Sequence, residues 1–205
     1  MTQIEKSELT KNKILAAAEC EFSEKGIWGA RIDAIAESAG VNKRMIYEHF
    51  ESKENLYKTV LERVYARLAD YESENYLKGL SPVDAIKNIV EVSFRFLESN
   101  PTFVRILMWE NLNNARYLEA GAAKDIKNPT INYIREEIRE GKASGVFSKD
   151  VDEEQMVISL LNFEFSYFSN IHTLSNVLKI NLADSNEIKK RSEFVSEMLI
   201  KYLKQ

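Results

Sequence analysis

The spacing of apolar residues along the chain predicts helices, most clearly between residues 32 and 50. From Ile32 to Ala39, apolar residues recur every three or four positions and so share one face of a helix. Gly40 follows, and glycine tolerates the positive φ that a tight corner requires. Asn42 can cap a second helix, in which Ile46 and Phe50 lie four residues apart and face inward. The pattern predicts two short helices joined by a tight turn.

The outward face of the second helix carries Lys43, Arg44 and Tyr47. Residues 38–47 contain two basic residues and no acid, although the net charge of the chain is −4. Two helices around a glycine corner, with a basic and aromatic outer face, are typical of a helix-turn-helix. The overall acidity argues against a general nucleic-acid coat, and the local charge favours a focused DNA-binding surface.

The rest of the apolar pattern is also helical, and no stretch shows convincing strand alternation. Ser81, Asn100 and Asn128 each precede a proline, which is a specific signal for a helix start. The sequence therefore predicts an all-α chain of about nine helices, with a three-helix domain at 1–57 and a larger helical domain at 58–205. Outside 32–50, the predicted helices span about 8–25, 52–78, 82–99, 101–118, 129–143, 152–178 and 184–203.

The helix predicted at 152–178 carries more apolar residues than one buried face needs. In 152–178 these residues lie around most of the helix, so more than one face must be buried. One face can pack within the domain, and the other requires a ligand cavity or a second chain. Helix 184–203 has a clearer stripe, and two such helices can pair with those of an identical subunit as a four-helix interface. We therefore expect a homodimer through these two helices.

The remaining composition limits the chemistry of the chain. One cysteine, Cys20, excludes an intrachain disulfide, and its place in an amphipathic helix predicts a buried, unreactive thiol. Two histidines and one cysteine, far apart, give no metal-ligand spacing, and no Gly-rich phosphate loop occurs. We therefore expect no metal, no cofactor and no enzymatic activity. No signal peptide or membrane-spanning run is recognisable, which favours a cytoplasmic protein without a membrane partner.

The N-terminal quarter of the chain resembles the DNA-binding domain of TetR-family transcriptional regulators. The resemblance rests on the runs ILAAAECEFSEKG, IDAIAESAGVNKRMIYEHF and ESKENLY. The glycine corner, the Tyr-x-His-Phe ending and the Ser-Lys-Glu start of the next helix are specific in combination. The resemblance implies a repressor that binds a pseudo-palindromic operator in double-stranded DNA as a homodimer and is released by a small-molecule effector.

The resemblance also assigns roles to residues on and beside the second helix. Tyr47, His49 and Lys53 match family positions that contact phosphate. The threonine that usually caps the preceding helix is missing at Ala30-Arg31, and Arg44 and Met45 replace smaller residues, so the family's half-site preference is not transferred. The predicted DNA-binding residues are Arg31, Asn42, Lys43, Arg44, Met45, Tyr47, His49 and Lys53.

Two of these residues have alternative roles. Arg44 can make a bidentate contact to guanine O6 and N7, form a surface ion pair with Glu48 at i+4, or contact phosphate. Base contact is the favoured prediction. His49 either contacts phosphate or packs at the end of its helix.

We expect a ligand pocket between helices of the C-terminal domain. Glu110 and Glu164 are candidates to counter a cationic ligand, although solvated or interface positions are favoured for both. The alternative functions are a helical DNA-binding or adaptor protein without an effector and, least favoured, an all-α enzyme. The predicted ligand-binding residues are Tyr65, Phe94, Met108, Trp109, Asn113, Phe163, Tyr167, Phe168 and His172.

Overall fold

The computed structural model of the chain describes residues 2–118 and 129–205, and these form ten α-helices without a strand. The all-α prediction is therefore confirmed. The helices are α1 (Gln3–Gly29), α2 (Ile32–Ala39), α3 (Lys43–Phe50), α4 (Lys53–Asn75), α5 (Pro82–Ser99), α6 (Pro101–Leu112), α7 (Pro129–Ala143), α8 (Glu153–Ser169), α9 (Ile171–Leu178) and α10 (Ser185–Leu203).

The described residues divide into two compact units. The first unit contains residues 2–67 and 102–118, and the second contains residues 68–101 and 129–205. The chain passes from the first unit to the second inside α4, between Arg67 and Leu68. The predicted domain boundary at residue 57 also falls inside α4. No sequence pattern indicated that α6 belongs to the same unit as the N-terminal helices.

The first unit is built on α1, which begins earlier than predicted. Thr2 caps it by accepting a hydrogen bond from the Glu5 N–H, and the Glu5 side chain accepts from the Thr2 N–H at 2.8 Å. This capping box satisfies two backbone donors that the helix itself leaves free. Near its other end α1 is kinked at Gly26, where φ is 63° and ψ is 178°. The apolar side chains along one side of α1 are buried, with Ile14 and Phe22 fully enclosed.

The second unit is organised around α5, which packs against α7, α8 and α10. Apolar side chains on most sides of α5 are buried, as contact with three neighbours requires. The predicted start at Ser81 is confirmed, since its side chain accepts a backbone N–H at the start of α5, and Asp152 and Asp184 do the same at the starts of α8 and α10. The predicted cap at Asn128 lies outside the described residues.

Three predicted helix ends were wrong. The helix predicted at 101–118 ends at Leu112, because Asn114 and Ala115 both have a φ of 56°, which no right-handed helix accommodates. The helix predicted at 152–178 divides at Asn170, whose side chain donates to the Ser166 carbonyl at 3.0 Å. This division gives ten helices in the described chain where about nine were expected. Helix α4 ends at Asn75 instead of residue 78.

The prediction that Cys20 is buried was also wrong, since its side chain is exposed. The neighbouring Glu19 takes the inward position on α1.

Candidate functional site

Helices α2 and α3 form the predicted helix-turn-helix. Gly40 ends α2 in the left-handed conformation, with φ 65° and ψ 37°, which confirms the predicted glycine corner. The Asn42 side chain caps α3 by accepting the Arg44 N–H at 2.9 Å. Ile35 and Ile46 are fully buried and join the two helices to the core of the first unit. The inner faces thus fix α3 in place and leave its opposite side to solvent.

The exposed side of α3 carries the predicted base-contacting residue in an ion pair. Arg44 Nε donates to Glu48 Oε1 at 2.8 Å, the arrangement that the sequence offered as the alternative to base contact. Both side chains are largely exposed, and an exposed i,i+4 pair contributes only about 0.3–0.5 kcal/mol. A bidentate contact between arginine and guanine is worth about 1–3 kcal/mol of discrimination, so DNA can outcompete Glu48. Arg44 can therefore pair with Glu48 in the free protein and contact guanine in a complex with DNA.

Lys43 is also paired within the chain, with an acid from α2. Its Nζ lies 2.9 Å from Asp33 Oδ1. The hydrogen bond and charge of Lys43 hold the pKa of the Asp33 carboxyl below its usual value, and Asp33 in turn raises the pKa of Lys43. Lys43 therefore keeps its positive charge at neutral pH. Tyr47 is exposed beside it, and Met45 is half-buried.

The junction between α3 and α4 is a tight and strained turn. Glu51 has φ 65° and ψ −45°, and the Ser52 N–H donates to the Phe50 carbonyl at 2.6 Å, which together define a γ-turn. Ser52 Oγ accepts the Asn55 N–H at 3.1 Å and so caps α4. Lys53 is the first residue of α4 and is half exposed. A helix N-terminus with a lysine is a favourable place for phosphate.

His49 is half-buried next to Phe50, with 6.1 Å between the two ring centroids. This position is compatible with both roles predicted for His49.

The start of α2 shows what replaces the missing threonine cap. Arg31 is the N-cap residue, and its side chain makes no capping hydrogen bond, as expected. Instead the Arg31 N–H donates to Glu21 Oε1 of α1 at 3.0 Å. Burial raises the pKa of the Glu21 carboxyl, but the hydrogen bonds from Lys25 and the Arg31 N–H outweigh that effect and lower it. The sequence pattern gave no signal for Glu21, because this contact spans ten residues across a corner.

The predicted ligand-binding residues are distributed over the two units. Tyr65, Met108, Trp109 and Asn113 lie in the first unit, and the other five lie in the second. Tyr65 packs edge-on against Phe103, with 5.6 Å between the ring centroids. Burial, and secondarily the nearby Glu110 charge, raises the pKa of Tyr65 to about 12.

Within the first unit, Trp109 and Asn113 connect α6 to α1. Trp109 Nε1 donates to the Ser23 carbonyl at 3.2 Å, and Trp28 Nε1 donates to Asn113 Oδ1 at 3.1 Å. A Cβ placed on Gly26 would lie 2.7 Å from the indole of Trp109, so this ring rests directly on the kink in α1. These residues therefore hold α6 on α1, which the sequence did not reveal.

A charged cluster reinforces the same pair of helices. Glu19 on α1 accepts hydrogen bonds from Arg67 Nη2 at 2.7 Å and from Thr102 Oγ1 at 2.6 Å. Burial raises the pKa of Glu19, but the hydrogen bonds from Arg67 and Thr102 and the Arg67 charge outweigh it, so the pKa is lowered. Sequence reasoning missed this cluster because its members lie up to 83 residues apart.

In the second unit, Phe94, Tyr167 and Phe168 form a buried aromatic cluster with ring centroids 5.3–5.9 Å apart. Phe163 is half-buried and His172 is exposed on α9. A groove of about 520 Å³ lies between α5 and α10, a volume typical of small-molecule sites. Of the predicted ligand-binding residues, only Phe94 lines it.

Glu110 and Glu164 are not solvated, contrary to the favoured prediction. Glu110 is 1% exposed and Glu164 is 3% exposed. The Tyr117 N–H donates to Glu110 Oε2 at 3.3 Å, and one oxygen of each carboxyl group has no hydrogen-bond partner among the described residues. The exposure of these two residues could not be predicted from helical periodicity. Periodicity does not show whether a neighbouring helix covers a polar residue at the edge of an apolar stripe.

Two features are absent from residues 2–118 and 129–205. No group of three or more His, Cys, Asp or Glu side chains there is arranged to hold a metal ion. No helix there combines the length and apolarity needed to cross a bilayer.

Comparison with known proteins matches both parts of the chain. Residues 14–60 match the family described as bacterial regulatory proteins, tetR family, and residues 82–199 match the tetracyclin repressor-like C-terminal domain. The HTH-type transcriptional repressor NicS of Pseudomonas putida is 31% identical over 202 residues, which cover 98% of this chain and 95% of NicS. The HTH-type transcriptional repressor SCO4008 of Streptomyces coelicolor is 29% identical over 156 residues, which cover 75% of this chain and 76% of SCO4008.

Solved structures show the same fold. The transcriptional regulator FadR of Bacillus subtilis, solved in complex with stearoyl-CoA, has a TM-score of 0.72 at 18% identity, covering 93% of this chain and 97% of FadR. The family matches cover both parts of the chain, the identity with NicS extends over almost its whole length, and α2 and α3 form the helix-turn-helix. The chain therefore belongs to the TetR family of bacterial regulatory proteins.

Proposed function

We propose that this protein is a ligand-responsive transcriptional repressor, which binds a pseudo-palindromic operator as a homodimer in the cytoplasm and is released by a small molecule. The observation that carries the proposal is the α2–Gly40–α3 unit, whose buried inner face leaves Lys43, Arg44 and Tyr47 on the outside. The N-terminal end of α3 enters the major groove, where Arg44 contacts a guanine. Lys53, at the start of α4, contacts the adjacent phosphate.

Dimerisation is supported by apolar side chains that remain exposed on α8 and α10. Ile158 and Leu161 on α8 and Phe194 and Tyr202 on α10 are among the large apolar residues exposed to solvent. These two helices contact each other, so their exposed side chains form one surface, which a second copy of the chain covers. Two recognition helices one DNA turn apart, about 34–36 Å, then contact two half-sites.

Coupling between ligand and DNA runs through α4 and α6. Helix α4 contributes residues to both units, and α6 follows α5 after the single residue Asn100. Since Thr102 and Trp109 of α6 are hydrogen-bonded to α1, a ligand that shifts α5 also displaces the frame of the helix-turn-helix. Linkage requires that DNA weakens ligand binding by the same factor as ligand weakens DNA binding.

The first test is selection of bound sequences from a random DNA pool, followed by two variants. Arg44→Ala should lower affinity for the selected operator by about 5-fold to 150-fold, since the lost contact is worth about 1–3 kcal/mol, and should leave non-specific DNA nearly unaffected. Lys53→Ala should weaken both kinds of DNA alike and reduce the slope of log affinity against log salt by about one.

Glu48→Gln is the matched control, because it removes the ion pair and keeps Arg44. It should retain the operator preference. Enrichment of no palindromic sequence would contradict the proposal, as would equal losses on operator and random DNA for Arg44→Ala.

A further inference from the structure

Lys43, on the exposed side of α3, is paired with a carboxylate from the other helix of the helix-turn-helix. Its Nζ lies 2.9 Å from Oδ1 of Asp33, which belongs to the first turn of α2, and Lys43 is itself the first residue of α3. The side chain of Lys43 is 48% exposed and that of Asp33 is 61% exposed. Water and salt weaken such a pair, so another anion that reaches Lys43 can take the place of Asp33.

Arg31 adds a second positive charge beside the same carboxylate. It is the exposed N-cap residue of α2, two positions before Asp33. The hydrogen bond and charge of Lys43 lower the pKa of Asp33, and the charge of Arg31 lowers it further. The two cations also repel each other, since Arg31 opposes the rise in the pKa of Lys43 that Asp33 causes. Asp33 therefore supplies the negative charge that two neighbouring cations require.

The pair lies where the proposed DNA complex brings phosphate groups. In a helix-turn-helix the first helix crosses the DNA backbone, while the N-terminal residues of the second helix enter the major groove. Asp33 and Lys43 belong to the first turns of these two helices. A phosphate at this position attracts Lys43 and repels the carboxylate of Asp33. A lysine that neutralises a phosphate releases counterions, which strengthens binding to any DNA sequence.

We propose that Lys43 and Arg31 form a binding site for one phosphate of the DNA backbone, and that Asp33 occupies this site in the free protein. The inference rests on the proposed function, because it assigns a contact and an internal competitor to the same DNA-binding surface. DNA must displace the carboxylate before Lys43 can bind the phosphate. Asp33 therefore lowers the affinity of the protein for all DNA, whereas Glu48 competes with guanine for Arg44 within α3.

The test measures binding of the full chain to the selected operator and to a random duplex, by fluorescence anisotropy at fixed salt. Asp33→Asn should raise the affinity for both duplexes by about two- to fivefold, since the competing ion pair is an exposed one. Glu37→Gln is the matched control, because Glu37 is an exposed acid on the same helix and its loss changes the net charge equally. It should leave both affinities nearly unchanged.

A second pair of variants tests whether Asp33 acts through Lys43. In the Lys43→Ala background, Asp33→Asn should lose most of its gain in affinity, because the cation that Asp33 holds is gone. In the Lys53→Ala background, which lacks a lysine at the start of α4, the same change should keep its full gain. The same gain in both backgrounds would overturn the site.

Three further results would also overturn it: an unchanged affinity for Asp33→Asn, an equal gain for Glu37→Gln, or a lower affinity for Asp33→Asn together with a lower urea midpoint. The last result would show that Asp33 only stabilises the two helices. The random duplex separates the site from the proposed function. A gain on random duplex without an enriched operator supports the site and contradicts operator-specific repression, whereas an enriched operator without any gain supports repression and contradicts the site.

Discussion

Replacement of Gly26 by alanine should destabilise the first unit far more than the same change at Gly40. Both glycines have positive φ, at 63° and 65°. An added Cβ on Gly26 would lie 2.7 Å and 2.8 Å from carbon atoms of Trp109, whereas a Cβ on Gly40 meets nothing within 4 Å. The two substitutions therefore share backbone strain and differ in steric overlap.

The magnitudes follow from these two contributions. Strain at a left-handed residue costs about 1–2 kcal/mol, which is the whole expected effect of Gly40→Ala. Gly26 also has an extended ψ of 178°, a region used almost only by glycine, so its strain is about 1–3 kcal/mol. Overpacking against the indole adds about 1–3 kcal/mol. The sum of about 2–6 kcal/mol is a large part of the stability of a typical domain, which is about 5–15 kcal/mol.

Urea unfolding followed by tryptophan fluorescence measures the first unit directly, because both tryptophans, Trp28 and Trp109, belong to it. With a typical slope of about 2 kcal/mol per molar urea, a loss of 4 kcal/mol lowers the midpoint by about 2 M. In the double variant Gly26→Ala/Trp109→Ala, the added Cβ no longer overlaps the indole. The loss of stability in the double variant should therefore be smaller than the sum of the two single losses by about 1–3 kcal/mol. Trp28 then remains as the reporter.

The double variant Gly40→Ala/Trp109→Ala is the control. Its loss of stability should equal the sum of the losses in the two single variants. Equal midpoints for Gly26→Ala and Gly40→Ala would refute the reasoning, as would additive losses for Gly26→Ala with Trp109→Ala.

Three further outcomes follow from single residues. Glu19→Gln should lower the free energy of unfolding by about 2 kcal/mol at pH 7, since it weakens charged hydrogen bonds in a partly buried cluster. Because the pKa of Glu19 is lowered in the folded state, this stabilisation is present above pH 4.5 and is lost as pH falls through the folded-state pKa. The difference in urea midpoint between the wild type and Glu19→Gln should therefore shrink towards pH 3. A difference that does not depend on pH would contradict the role of the charged carboxylate. Phe194→Glu should give monomers in sedimentation and weak operator binding, while Leu77→Glu, equally exposed at 56%, should remain dimeric. Glu51→Gly should raise the free energy of unfolding by about 1 kcal/mol, because glycine adopts a φ of 65° without strain. A lower urea midpoint than that of the wild type would show that the turn is unstrained.

The helix-turn-helix could be predicted almost completely from the sequence, because its determinants are local. Gly40 supplies the positive φ, Asn42 caps the helix that begins at the next residue, and Ile46 and Phe50 face inward by helical periodicity alone. Each of these interactions spans fewer than five residues. The alternative partner of Arg44, Glu48, was predictable for the same reason.

The ligand-binding residues stay a prediction, because they were chosen by residue type without knowledge of which helices meet. The sequence did not indicate that Trp109 on α6 donates a hydrogen bond to α1, or that Phe94 on α5 packs against Tyr167 and Phe168. The burial of Glu164 was equally hidden, since an acid next to an apolar stripe is solvated unless another helix covers it.

The sequence by itself determined what depends on neighbours within about four residues: the helices apart from the division at Asn170, several of their caps, the glycine corner and the outward basic face of α3. Only the tertiary structure decided that α6 packs against α1, that Glu19 joins Arg67 and Thr102, and that Glu164 lies beside Glu72 in the interior. The physical reason is that helix formation is driven by local hydrogen bonds and periodicity, whereas pairing of distant helices depends on shape and on the cost of burying charge.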